Sequence, residues 1–234
     1  MELLEKTETK MVFKTKTNTT LANAIRRSVS SIKTLAIDEV DIYKNDSALY
    51  DETIAHRLGL VPLENQKLKE GQVLELKLKI KGKDSSTEVL AGEMGDLVIY
   101  PKMLIALLEK DQKLEIVARA TQGIGRTHAK YLPGLLYYKI LSEIKISKEG
   151  EKHSELAELY PKTFEFKDKL TVKNSWIDDL DQEDFKEFEG ITITPTDELV
   201  IAIETWKQMS SEEIFKEAIK ALTKNLDELS KAVK

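Results

Sequence analysis

Cysteine is absent from all 234 residues. That excludes a disulfide framework, a Cys-ligated zinc, a Cys-ligated iron–sulfur cluster and any thiol nucleophile. Histidine is scarce, at His56, His128 and His153, and no two share the i, i+4 spacing of a helical zinc site. No serine sits in a nucleophile-elbow pattern, so covalent hydrolysis is not expected. No apolar run approaches the roughly 20 residues of a membrane span, and the start Met1-Glu2-Leu3-Leu4-Glu5-Lys6 is too acidic and short for a signal peptide. Positive charge is not in excess either. Lys and Arg number 36 against 41 Asp and Glu, a net charge of −5, so no global field steers nucleic acid to the chain. Repeats, low-complexity tracts and flexible linkers are also missing. The expectation is a soluble, cytoplasmic protein.

Apolar residues make up 41%, enough for a core, and a chain this long can bury roughly 70–75% of its unfolded surface without staples. Residues 7–17 are Thr-rich and predict a strand. Asn18-Thr19-Thr20 offers side-chain oxygens for a helix start, and Leu21, Ile25, Val29 and Ile32 follow as one helical stripe. Ala22, Ala24, Ser28 and Ser30 beside it suit the close approach of a second helix. Leu35-Ala36-Ile37 leads into alternating Val40, Ile42 and Tyr43, then a polar turn at 45–47. Asp51 to Leu60 reads as a helix stopped by Pro62. Residues 71–81 alternate as a half-exposed strand, 81–87 is a charged turn, 103–108 a helical turn, and 113–120 and 135–146 further strands. On these patterns 36 to about 148 forms a mostly antiparallel β unit.

The stretch 178–189 carries seven acids against Lys186 alone, within a small, loop-rich segment spanning 149–192. Leu199 to Ile203 is a buried-strand run. Ser210 and Glu213 have capping-box spacing, and beyond them Phe215, Ile219, Leu222, Leu226, Leu229 and Val233 form a heptad-type seam. The seam spans under three heptads, too short for an autonomous coiled coil, so it packs either on its own domain or across a subunit boundary. Arg26-Arg27 leaves two readings open: solvated arginines, or guanidinium groups paired across an interface. Gly123-Ile124-Gly125-Arg126 lacks the third glycine and following helix of a phosphate loop and predicts a turn. Asp51, Glu52 and His56 predict a helix with capping acids; an acid–base or metal cluster is the enzymatic alternative.

The residues also carry a resemblance. Thr20-Leu21-Ala22-Asn23-Ala24-Ile25-Arg26-Arg27, Leu35-Ala36-Ile37-Asp38-Glu39-Val40 and the long run Asn45 to Leu63 resemble the α-type RNA polymerase assembly subunits. The archaeal and eukaryotic branch is the nearer one. His128-Ala129-Lys130-Tyr131-Leu132-Pro133-Gly134, Ile203-Glu204-Thr205-Trp206 and the final helix are similar to the archaeal D-type members. The resemblance implies an α+β fold: a discontinuous dimerisation domain of helices on a small sheet (1–35 and 193–234), an inserted β domain (36–148) and a small ferredoxin-like domain (149–192).

It further implies a non-catalytic scaffold that heterodimerises with a smaller α-like subunit, L. That pair then meets the small subunits N and P and the second-largest catalytic subunit, with little or no direct nucleic-acid contact. By the same carry-over Leu21, Ile25, Val29, Phe215, Leu222, Leu226 and Leu229 face L, and Arg26, Arg27, Asp51, Glu52, His56 and Arg57 face the large subunit. Many family members hold an iron–sulfur cluster in the 149–192 region. Here its cysteines are missing and Tyr160 precedes Pro161, so no cofactor is expected and packing through Trp176, Phe185 and Phe188 takes the cluster's place. A homodimer using the same helices is the alternative to the heterodimer.

Overall fold

The computed structural model describes residues 1–69, 71–83 and 86–233. The charged turn expected at 81–87 includes residues 84 and 85, which lie outside the described residues. The fold is α+β, and the chain divides into two compact units. One comprises Met1–Asn23 and Leu136–Ala202, the other Ala24–Leu135 and Ile203–Lys234. This division runs differently from the segment limits expected at 35, 148 and 192.

The first unit is built on a four-stranded sheet. Strands β1 (Glu2–Lys6) and β2 (Lys10–Lys16) form an antiparallel hairpin, where sequence alone predicts one strand over 7–17. The difference lies in Thr7. Its Oγ1 accepts from the Lys10 backbone N–H at 3.0 Å, while its own N–H donates to Lys10 O at 2.8 Å, which closes the turn. Strands β8 (Gly134–Ile146) and β11 (Ile191–Thr205) complete the order β1-β2-β11-β8. Val12, Val200 and Ala202 form a small buried cluster with Trp176 packed against it.

A second core lies within 149–193. The short helix α3 (Glu155–Leu159) and the hairpin of β9 (Phe164–Phe166) and β10 (Leu170–Val172) enclose Leu156, Phe164, Leu170 and Phe185. Phe185 lies 5.7 Å from Tyr160, 5.9 Å from Phe164 and 6.1 Å from Phe188, ring centre to ring centre. Such aromatic groupings contribute about 0.5–1.5 kcal/mol per pair beyond area burial. Phe185 and Phe188 therefore pack as anticipated, but Trp176 belongs to the sheet cluster instead.

In the second unit, β3 (Lys33–Asn45), β7 (Lys113–Ile124) and β4 (Leu74–Lys81) form an antiparallel sheet in the order β3-β7-β4. Leu35, Ala36 and Ile37 are all buried, so this end of β3 is covered on both faces and reads as a continuous apolar run. Farther along, Arg119 on β7 pairs with Asp41 at 2.5 Å and approaches Glu39 and Glu75 at 3.7 and 3.9 Å. This charged grouping ties all three strands into one register. Residues 103–108, expected as a helical turn, instead contain strand β6 (Leu104–Leu108), antiparallel to β5 (Thr87–Leu90). Helix α2 (Asp51–Gly59) buries Ile54 and Leu58 in the same core.

Candidate subunit interface

Helix α1 (Thr19–Ser28) begins where the Leu21 backbone N–H donates to Asn18 Oδ1 at 2.7 Å. It ends earlier than the stripe 21–32 suggests. Val29–Ser31 tightens into a 3-10 turn, Ile32 is extended, and Ser28 Oγ donates back to Ala24 O at 2.8 Å. The stripe is therefore divided. Leu21 is 46% exposed and Ile25 half-buried, whereas Val29, assigned with them to the partner face, is only 3% exposed within its own chain. Val29 has little surface left to offer. Arg26 and Arg27 are both exposed in the last turn.

Helix α4 (Ser211–Ala232) starts on the expected capping box. The Glu213 N–H donates to Ser210 Oγ at 3.2 Å and the Ser210 N–H donates to Glu213 Oε2 at 2.9 Å. The Ser210 N–H, together with the Ser210 hydroxyl that donates to the same oxygen at 2.9 Å, holds the Glu213 carboxyl below its ordinary pKa. Ile214 and Ala218 are buried in the unit's own core, and Phe215 and Leu222 are half-buried. Beyond them the helix loses its support. Leu226 is 57% and Leu229 61% exposed, and every residue from 223 to 233 lies open to solvent. Apolar side chains here recur at heptad spacing and are mostly open to solvent among the described residues.

Helix α2 presents Asp51, Glu52 and His56 to solvent. Acids in its first turn and His56 and Arg57 in its last complement the helix dipole. Asp51 Oδ1 also accepts from Asn45 Nδ2 at 2.8 Å, tying the helix to the preceding turn. Arg57 differs from its neighbours. One guanidinium N–H donates to Ile105 O at 2.8 Å, so this side chain braces β6 from within. Among the described residues no group of three or more His, Cys, Asp and Glu side chains is placed to hold a metal.

The Gly-x-Gly motif has a packing role. A Cβ on Gly123 would lie 2.5 Å from the Tyr131 ring, and one on Gly125 2.5 Å from Leu132 Cδ2. The glycines admit the 128–134 segment, in which Lys130 pairs with Asp38 at 2.7 Å and Tyr131 Oη meets Thr121 Oγ1 at 3.0 Å. Two amides not singled out from sequence anchor the start of β3. The buried Gln208 donates to Leu35 O at 3.1 Å, and Asn65 Oδ1 accepts from the Leu35 N–H at 3.0 Å. Their partners lie over a hundred and about thirty positions away in the chain, a distance at which no local pattern announces them.

The residues of 149–192 do not fit an iron–sulfur cluster. Thiolates are its ligands, the chain has none, and Tyr160 turns its ring into the aromatic core beside Phe164 and Phe185.

The pattern of the RNA polymerase Rpb3/Rpb11 dimerisation domain matches residues 11–226, and the chain belongs to this family. Within it the similarity runs to archaeal subunits. DNA-directed RNA polymerase subunit Rpo3 of Pyrococcus horikoshii is 34% identical over 97% of this chain and 95% of that protein. The Pyrococcus furiosus subunit is 32% identical over 97% and 94%, and that of Archaeoglobus fulgidus 28% over 100% and 97%. Among the described residues no helix is long and apolar enough to cross a membrane.

Proposed function

We propose that this chain is a non-catalytic assembly subunit of a DNA-directed RNA polymerase. It pairs with a smaller α-like subunit, subunit L, and the pair forms a platform for the small subunits N and P and the second-largest catalytic subunit. The supporting observation is the outer half of α4. Residues 223–233 are exposed throughout, yet carry Leu226, Leu229 and Val233 on one seam. This seam is open to the apolar face of a partner helix. Burying each leucine contributes about 1.5–3 kcal/mol before association costs.

In this reading Leu21, Ile25, Phe215, Leu222, Leu226 and Leu229 form the face toward L. Residues 1–35 and 193–234 supply the dimerisation domain, 36–148 the inserted β domain, and 149–192 a cofactor-free remnant. Arg26, Arg27, Asp51, Glu52 and His56 face the large subunit, while Arg57 braces β6.

Co-expression with an L-type subunit and mass determination of the complex tests the assignment. Leu226→Asp and Ile25→Asp should abolish co-purification. Arg27→Ala should leave the heterodimer intact and weaken capture of the second-largest subunit. An unchanged heterodimer yield from Leu226→Asp, or a stable homodimer indifferent to L, would overturn the proposal.

A further inference from the structure

A cavity of about 520 Å³ opens in the first unit, over the sheet face formed by Val12, Val200 and Ala202. Trp176 and Tyr138 contribute its aromatic lining, and Lys139 of β8 reaches its boundary. The Lys139 Nζ donates to Asp178 O at 2.5 Å, so the amine is held at a defined point. Burial works against its charge and lowers its pKa, while the nearby Asp179 and Asp178 carboxylates oppose that drop. The other charged groups at the cavity are Lys10, Lys162 and Glu5, and Tyr137 completes the titratable set.

We propose that Lys139 is an acylation site, taking a short acyl group from an activated donor such as an acyl phosphate and laying the acyl chain in the cavity. Three features favour it. The apolar floor and aromatic lining suit a hydrocarbon chain. The Lys162 ammonium attracts the donor's phosphate, and Lys10, which pairs with Glu5 at 4.0 Å, contributes less. The amide product carries no charge to desolvate and keeps an N–H for Asp178 O. In the reaction the ammonium first releases a proton to solvent. The neutral nitrogen's electron pair then attacks the acyl carbon, the N–C bond forms, and the C–O bond to phosphate breaks. Phosphate departs with the bonding pair and takes the second amine proton.

The test uses the full chain with acetyl phosphate, and site occupancies are read by peptide mass spectrometry at early times. Lys139 should react faster than the exposed Lys67 at pH 7.5, because burial enlarges the neutral fraction of its amine. Its rate should also level off at a lower pH than that of Lys67. Butyryl phosphate should give a higher butyryl-to-acetyl ratio at Lys139 than at Lys67. Asp179→Asn, at an exposed position, should accelerate Lys139 alone. A Lys139 rate at or below that of Lys67 with the same pH dependence, or no acceleration in Asp179→Asn, would overturn the proposal.

Discussion

Replacing Gly123 by alanine decides whether the Gly-x-Gly motif serves packing. The added Cβ would stand 2.5, 2.6 and 2.7 Å from three carbons of the Tyr131 ring. That ring cannot swing away cheaply. Tyr131 is buried, its hydroxyl is bonded to Thr121 at 3.0 Å, and Lys130 Nζ sits 5.2 Å from the ring centre. Overpacking of this kind costs about 1–3 kcal/mol, which for a chain of this size lowers the melting temperature by roughly 2–4 °C per kcal/mol. The cost belongs to the pair. In a Tyr131→Ala background, itself destabilised by about 3–5 kcal/mol, Gly123→Ala should be neutral to within about 0.5 kcal/mol. The two tryptophans make this measurable. Trp176 lies in the first unit and Trp206 in the second, so urea unfolding in a Trp176→Phe background reports the unit that holds Tyr131. An equal cost of Gly123→Ala with and without the Tyr131 ring would refute the reasoning.

Other outcomes follow from single contacts. Ser210→Ala removes the helix cap and should destabilise the second unit by about 1 kcal/mol in the same unfolding assay. The Glu213 carboxyl is held below its ordinary value of 4.5, so its contribution is present above that pH and is lost as pH falls through the lower folded value. Glu213→Gln should remove that part of the acid dependence, seen as a flatter stability profile below about pH 4.5. Arg57→Met strips the donor from Ile105 O and should cost about 1–3 kcal/mol in urea unfolding, as for a buried carbonyl left unpaired. Leu226→Asp with Leu229→Asp should leave the melting temperature of the isolated chain within about 4 °C, since each surface change stays near 0.5 kcal/mol. The same pair should abolish the heterodimer in sedimentation.

Local chemistry made some elements readable in advance. The capping box at Ser210 and Glu213 set the start of α4, and Pro62 set the limit of α2. The alternation of Leu74, Leu76, Leu78 and Ile80 matched β4. Other features depended on distant partners. Leu104 to Leu108 is too short and apolar for periodicity to separate strand from helix, and its pairing with β5 decides. The end of α1 at Ser28 depends on a serine bonding backward, and Val29 and Ile32 then fall into the core. At the candidate interface the heptad seam was legible as an apolar pattern. Which half of it the chain covers for itself was not, because that depends on how far the core beneath α4 extends. Arg57 looked like its exposed neighbours for the same reason: its acceptor, Ile105 O, lies 48 positions away.

The uneven support of α4 bears on supply inside a cell. Its 22 residues span about 33 Å, packed at one end and open to solvent at the other, and exposed chain ends are where proteolysis concentrates. If the chain pairs as proposed, a copy made in excess of its partner leaves this half of the helix open to proteolysis. Pairing would cover that half, so the abundance of one polypeptide would track synthesis of the other with no regulator between them.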